Sequence, residues 1–134
     1  MKYKEAKRYH ENGQLEYHNF VDEYGYRHGE CRSYYGNGQL CWHYSTRGDL
    51  HYGEVKMFNY SGNLAHHFIK DGRGKEIATA TSYGTRAAHT EEQLIQIAKE
   101  HGLPLLSDLP KTEEEVTLWN LKYPTIPCLP IAST

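Results

Sequence analysis

The sequence is poor in cysteine and has no long apolar run. Its 134 residues include three cysteines, Cys31, Cys41 and Cys128, an odd number without metal-type spacing that favours a reducing compartment. No apolar run approaches the roughly 20 residues that span a bilayer, so we expect no membrane span. No apolar stretch follows the charges of the first five residues, so we expect no secretion signal and a cytoplasmic location.

The chain also lacks an excess of charge of one sign. Its formal net charge is -2, from 15 basic and 17 acidic residues. Nonspecific binders of nucleic acid or anionic membranes carry a basic excess, so nucleic acid is not the expected partner. What the chain does have is 12 tyrosines, 12 glycines and nine histidines, a composition typical of turn-rich β structure rather than a helical bundle.

Three segments share one pattern, at residues 9–15, 34–40 and 58–64. In each, an aromatic residue precedes a leucine by six positions and a glycine lies two positions before that leucine. Further columns align in the same register: glutamates (Glu5, Glu30, Glu54), basic residues (Lys7, Arg32, Lys56) and histidines (His18, His43, His67). Three tandem units therefore cover about residues 4–76.

Each unit has the pattern of a β-hairpin. Residues 30–35 are followed by Gly36-Asn37-Gly38 and then by residues 39–44, which predicts strand, tight turn and strand. Because side chains alternate along a strand, Tyr17, Trp42 and His66 share one face, and the histidine column lies on the other. A single hairpin is marginal in water, so neighbouring units must pair into an elongated meandering sheet.

The unit Tyr-x-x-Asn-Gly-Gln-Leu, with the following His28-Gly29-Glu30, resembles the MORN-type repeat. It is most similar to the bacterial and phage variant, whose members are often described as antitoxin-like. The resemblance implies a β-hairpin repeat sheet with an interaction role and without catalytic residues. The third unit departs from the pattern, with Ser61-Gly62-Asn63 at its turn, as a degenerate cap would.

After the repeats, residues 77–83 predict a strand that closes the sheet edge. A helix is expected from a Thr90–Gln93 capping box to His101-Gly102, and a second from Thr112, with Glu115 as its box partner, to before Pro124.

The sequence thus predicts a mainly β fold with α: a MORN-like tandem β-hairpin meander sheet, followed by two C-terminal helices and an extended tail. Residues 1–84 hold about three units and the closing strand. Residues 85–134 hold the helices and the proline-rich tail.

The histidine column suggests metal binding, but geometry opposes it. Equivalent residues of successive hairpins lie two strands apart, roughly 10 Å at about 4.8 Å per strand. Zinc ligands lie about 2.0–2.3 Å from the ion, so His18, His43 and His67 cannot share one. A local cluster of Cys31, Cys41 and His43 stays open, as does pH sensing. The simplest interpretation of the histidines is a half-buried ladder that fixes register, and the glutamate and basic columns are interpreted as ion pairs of little energy.

The hypothesis for function is a nonenzymatic protein–protein interaction module with no catalytic residues, metal or cofactor. Its partner-binding residues are predicted to be aromatic or histidine side chains: Tyr17, Trp42, Tyr44, His66, Phe68 and Trp119. The resemblance implies a toxin or defence factor as partner, with this chain as inhibitor or sensed trigger. The alternatives are a metal- or His-dependent hydrolase and a membrane-surface or nucleic-acid binding module. A second copy could also pair with the uncapped sheet edge.

Overall fold

The predicted meander sheet is confirmed in a computed structural model that describes residues 2–80 and 89–123. Seven antiparallel strands lie side by side in chain order. The strands are β1 (Lys4–Tyr9), β2 (Leu15–Val21), β3 (His28–Tyr34), β4 (Leu40–Arg47), β5 (Leu50–Phe58), β6 (Leu64–Asp71) and β7 (Glu76–Thr79). The closing strand is shorter than predicted, ending at Thr79. Positions 81–83 of the predicted strand, the boundary at residue 84, Cys128 and the extended tail lie outside the described residues.

The three repeat hairpins are closed by the same turn. In the first, the His10 N–H donates to the Gln14 carbonyl at 2.7 Å, and the Gly13 N–H donates to the His10 carbonyl at 3.0 Å. Gly13 has φ 89°, a conformation that glycine adopts without steric cost. The same two backbone bonds close the turns of the second and third hairpins. The repeated Asn-Gly therefore has a direct structural cause.

Successive turns are also joined to one another. The Asn12 side chain donates to the Gly36 carbonyl at 2.7 Å, and Asn37 donates to the Tyr60 carbonyl at 3.0 Å. The equivalent position in the third unit is Ser61, and among the described residues no further hairpin turn follows at that end of the sheet. Loss of the asparagine in the third unit fits its position as the last repeat.

Two helices follow the sheet, as predicted: α1 (Glu91–Glu100) and α2 (Glu113–Lys122), with one 3-10 turn (Leu106–Asp108) between them. The capping box of α1 is confirmed, because Thr90 Oγ1 accepts from the Gln93 N–H at 3.1 Å and Gln93 Oε1 accepts from the Thr90 N–H at 2.8 Å. None of the described helices is both long and apolar enough to cross a membrane.

The cap of α2 differs from the prediction in one half. Thr112 Oγ1 accepts from the Glu115 N–H at 3.1 Å, as expected. The Glu115 carboxylate, however, accepts from the Lys111 N–H at 2.6 Å, one residue before the cap. The reciprocal box predicted for Thr112 and Glu115 is therefore wrong in this half, since the carboxylate satisfies a neighbouring free N–H.

Both helices pack on one face of the sheet, which we call the helix face. Leu94 and Ala98 of α1 form a core with Ile69 and Ala78, and all four are at most 6% exposed. A second cluster joins three residues from separate elements: Tyr52, Leu109 and Trp119. The apolar contacts of both helices therefore lie on the same side of the sheet.

Two strand glycines at equivalent repeat positions let the C-terminal segment approach the sheet. A Cβ atom on Gly53, where φ is 92°, would lie 2.3 Å from the Pro104 carbonyl oxygen. A Cβ atom on Gly29 would lie 3.1 Å from Pro110 Cγ. The Pro104 carbonyl accepts a hydrogen bond from the Glu54 N–H at 3.1 Å, so the close approach at Gly53 is a bonded contact.

The substitution Gly53→Ala tests this contact against Gly13→Ala as its control. Both glycines have positive φ, so both variants incur about 1–2 kcal/mol of backbone strain. Only Gly53→Ala also collides with Pro104, and overpacking of this kind adds about 1–3 kcal/mol. We expect urea denaturation to show a larger loss in the free energy of unfolding for Gly53→Ala. Equal losses would contradict the packing of Pro104 on this strand.

Candidate functional site

On the helix face, the histidine of each repeat is paired with the glutamate of the same repeat. The distances from His Nε2 to Glu Oε2 are 2.7 Å for His18–Glu5, 2.9 Å for His43–Glu30 and 2.7 Å for His67–Glu54. The histidines become more buried along the array, and the His67 and Glu54 side chains are 2% and 6% exposed. The two sequence columns are therefore a single feature, a hydrogen-bonded His–Glu pair repeated three times.

Glu30 is the most heavily paired of these glutamates. Its Oε2 atom lies 2.7 Å from Lys111 Nζ, 3.0 Å from Arg32 Nη2 and 2.9 Å from His43 Nε2. Burial alone would raise the pKa of Glu30. The hydrogen bonds from His43 and Lys111, together with the charge of Arg32, outweigh that effect and lower the pKa to about 2. The interpretation of the glutamate column as weak surface ion pairs is thus wrong at Glu30, whose side chain is 4% exposed.

The paired acids also hold the C-terminal segment against the sheet. Glu54 Oε1 accepts from the Leu106 N–H at 2.9 Å, and Glu30 accepts from Lys111. A fourth pair, His28 with Asp22 at 2.8 Å, extends through His28 Nδ1 to the Asn120 side chain at 3.1 Å. These residues are engaged in joining the sheet to the helices, a structural use of histidine and carboxylate.

The metal hypotheses find little support in this geometry. Cys31 is paired across the hairpin with Tyr44, whereas His43 is paired with Arg32, so Cys31 and His43 point to opposite faces. The open cluster with Cys41 therefore does not assemble. Burial raises the pKa of Cys31 to about 11, which also makes it a poor nucleophile.

Within the described ranges, one set of three side chains, Glu54, His67 and Glu91, brings its possible ligand atoms within 4.8 Å of one another. Its members already have other partners. Glu54 accepts from His67 and Leu106, and Lys56 Nζ lies 3.4 Å from Glu91 Oε1. A cation bound here would have to displace the hydrogen bonds that Glu54 accepts and would be repelled by the charge of Lys56.

Five of the six predicted partner-binding residues lie on the face opposite the helices, which we call the open face. They are Tyr17, Trp42, Tyr44, His66 and Phe68, and each is half-buried. They alternate along their strands with the histidines of the helix face, and no described helix packs over them. Trp119 lies elsewhere. It is 6% exposed and packs its ring 6.2 Å from Tyr52 and 5.2 Å from Tyr123.

Aromatic contacts hold the centre of the open face. The Tyr44 ring lies 6.3 Å from Trp42 and 4.4 Å from His51. The Tyr44 hydroxyl accepts from Arg27 Nη1 at 2.6 Å, and Arg27 Nε in turn donates to Asp49 at 2.9 Å. Burial is the main reason that the pKa of Tyr44 is raised to about 12. Sequence reasoning missed His51 because it lies outside the aligned columns, in a strand whose register with β4 shifts between His43 and Thr46.

The open face also contains a groove of about 440 Å³ lined mainly by the first three strands, which we call the β1–β3 groove. Small residues line part of it, namely Ala6, Asn19, Cys31 and Ser33, with Tyr17 and Tyr44 beside them. The only sequence signal for this groove was the absence of an aromatic residue at Asn19, where the other units have Tyr44 and Phe68. The sequence analysis therefore did not predict this groove.

Comparison with known proteins gives one family. Residues 2–21 and 27–41 match the model of the MORN repeat variant. The match covers the first hairpin and most of the second, so the chain carries MORN-type repeats, and the third unit lies beyond the match. No curated protein and no solved structure shows a significant match to the chain.

The pairing of Glu30 predicts an acid-sensitive fold. Because its pKa is lowered from 4.5 to about 2, its stabilising contribution is complete above pH 4.5 and is lost as the pH falls towards 2. In Glu30→Gln, the decline in the free energy of unfolding between about pH 5 and pH 2 should be smaller by on the order of 2 kcal/mol. Chemical denaturation across this range measures it. Glu23→Gln, on an exposed turn, should keep the wild-type decline, and equal declines in all three proteins would contradict the prediction.

Proposed function

We propose that this protein is a nonenzymatic binding module that holds a protein partner on its open sheet face. The observation that carries the proposal is the difference between the two faces. One is covered by the chain's own helices, and the other presents half-buried aromatic and histidine side chains with no described helix over them. MORN-type repeats are generally protein- or membrane-binding modules, which supports a binding role.

The composition of the open face favours a protein over a membrane or a nucleic acid. Tyrosine and tryptophan are the residues that most often dominate protein interfaces. The Arg27 charge is already neutralised by Asp49 at 2.9 Å. With a net charge of -2, the chain lacks the basic excess that phosphate-rich surfaces require. These features support a partner bound by aromatic contacts rather than by charge.

The arrangement of the acids and histidines argues for structure rather than hydrolysis. A general acid or base must reach a substrate in a cleft. The most buried His–carboxylate pairs, His28–Asp22 and His67–Glu54, have side chains at most 6% exposed and lie beneath the C-terminal segment. Their placement supports a role in stability.

The identity of the partner is proposed from the resemblance alone. It suggests a toxin or a defence factor in the cytoplasm, with this protein acting as its inhibitor or as the trigger that it senses. A second copy pairing at the β1 edge also stays a prediction. That edge carries Lys4, Lys7 and Arg8, and such charges disfavour pairing between edges.

Affinity capture with the full chain tests the proposal. Immobilised protein should retain one stoichiometric protein from a bacterial lysate, identified by mass spectrometry, and Trp42→Ala should lose at least about nine-tenths of it, as expected for a central aromatic contact. The matched control is Leu118→Ala, because Leu118 is 66% exposed on α2, away from the open face. Thermal unfolding verifies that both variants fold.

Equal capture by Trp42→Ala and Leu118→Ala would exclude the open face as the binding surface. Retention on anionic lipid vesicles without any protein partner would instead support the membrane-surface alternative and overturn the proposal.

A further inference from the structure

We propose that the β1–β3 groove is an anchor site for one tyrosine or tryptophan side chain of the protein partner. The inference rests on the proposed function and makes it more specific, since it names the part of the open face that binds most tightly and the chemistry of the bound side chain.

The first argument is a comparison between repeats. One row of side chains crosses the open face along the register of the strands: Ala6, Asn19, Cys31, Tyr44, Val55 and Phe68. In the second and third units this row holds Tyr44 and Phe68, and Val55 between them is fully buried. In the first unit the aromatic position is Asn19. The groove is thus the place where one aromatic ring is missing from an otherwise regular row.

The second argument is an unsatisfied acceptor at that position. Asn19 lines the groove, and its Oδ1 atom is buried without a hydrogen-bond partner. Buried polar atoms almost always have a partner, and leaving one unpaired is destabilising. An N–H or O–H donor that enters the groove would recover this energy once the Asn19 side chain rotates to turn Oδ1 into the groove. The acceptor therefore selects a ligand with a donor, and the small floor selects one with a flat apolar body.

The walls and rim favour a neutral occupant over a charged one. Tyr17 and Tyr44 provide ring surface beside the small floor residues. Arg27 and Asp49 also line the groove and form an ion pair at 2.9 Å, so their opposite charges largely cancel and give a charged ligand no net attraction. A neutral aromatic side chain with a polar tip needs no such attraction.

Tyrosine and tryptophan are the side chains that meet all three requirements. Each has a large ring that packs against other rings, and each has one donor, a phenolic O–H or an indole N–H. A volume of about 440 Å³ is sufficient for either ring. Phenylalanine would fill the same space but leave Asn19 Oδ1 without a partner.

The test uses single residues as probes of the full chain. N-acetyl-tryptophanamide, N-acetyl-tyrosinamide and N-acetyl-phenylalaninamide are titrated separately, and binding is followed by amide chemical shifts in ¹⁵N-labelled protein. The first two should shift Ala6, Asn19 and Cys31 together. The phenylalanine probe has the same backbone amides but no donor on its side chain, so it should bind about three- to tenfold more weakly.

The variant Asn19→Phe supplies the missing ring from within the chain. It should abolish the shifts caused by the tryptophan and tyrosine probes. Leu64→Phe, which adds a ring to the same face in the third unit, should leave them unchanged. The inference is wrong if the probes leave the three residues unshifted, if Asn19→Phe binds as well as wild type, or if N-acetyl-lysinamide binds more tightly than the aromatic probes.

The capture experiment separates this inference from the proposed function. If Asn19→Phe still retains the lysate partner and Trp42→Ala does not, the open face binds the partner but the groove is not its anchor. If the aromatic probes bind the groove but no lysate protein is retained by wild type, the groove is a site and the proposed protein partner is wrong. If both variants lose the partner, the result supports the proposed function and the groove as the anchor site.

Discussion

The rest of the structure depends on the hydrogen bond between a histidine and a glutamate within each repeat. A buried carboxylate is costly unless it is fully paired. Glu30 and Glu54 obtain their pairing from His43 and His67 on the neighbouring strand and from Lys111 and Leu106 of the C-terminal segment. One carboxylate thus links two strands and the segment that crosses them. The second and third hairpins each contribute such a group, so the pairing that joins their strands also attaches the C-terminal segment to the same face.

Covering one face leaves the other available. The side chains that alternate with the histidines cannot take part in the same core, so Tyr17, Trp42 and their equivalents lie on the opposite side of the sheet. The strand glycines also favour the packing of the helices on the helix face. Gly53 and Gly29 allow Pro104 and Pro110 to approach the sheet closely, which brings the helices down onto a face where larger residues would hold them away. The proposed binding surface is therefore a consequence of how the helices are attached.

Departures from the repeat carry more functional information than the repeat itself. Matching positions produce a regular sheet and regular turns, as Asn12 and Asn37 show at the hairpin ends. Where the pattern fails, the structure acquires a property that the regular units lack. Ser61 ends the ladder of turns at the last unit, and Asn19 borders a groove at a repeat position that is aromatic in the other two units. The exception at Ser61 marks the last repeat of the sheet. The exception at Asn19 marks the proposed anchor site on the open face.

The sequence by itself determined the features that depend on neighbours along the chain. The Asn-Gly turns, the alternation of the strands and the Thr90 cap need only local backbone preferences, and each was predicted. What only the tertiary structure decided was which groups from distant positions share a pairing. Glu30 meets Lys111, 81 residues away, and Trp119, predicted to bind a partner, is buried against Tyr52. The physical reason is that burial and the pairing of buried charge depend on which elements pack together. Local sequence patterns specify the elements and their faces, but not the long-range contacts that cover one face and leave the other open.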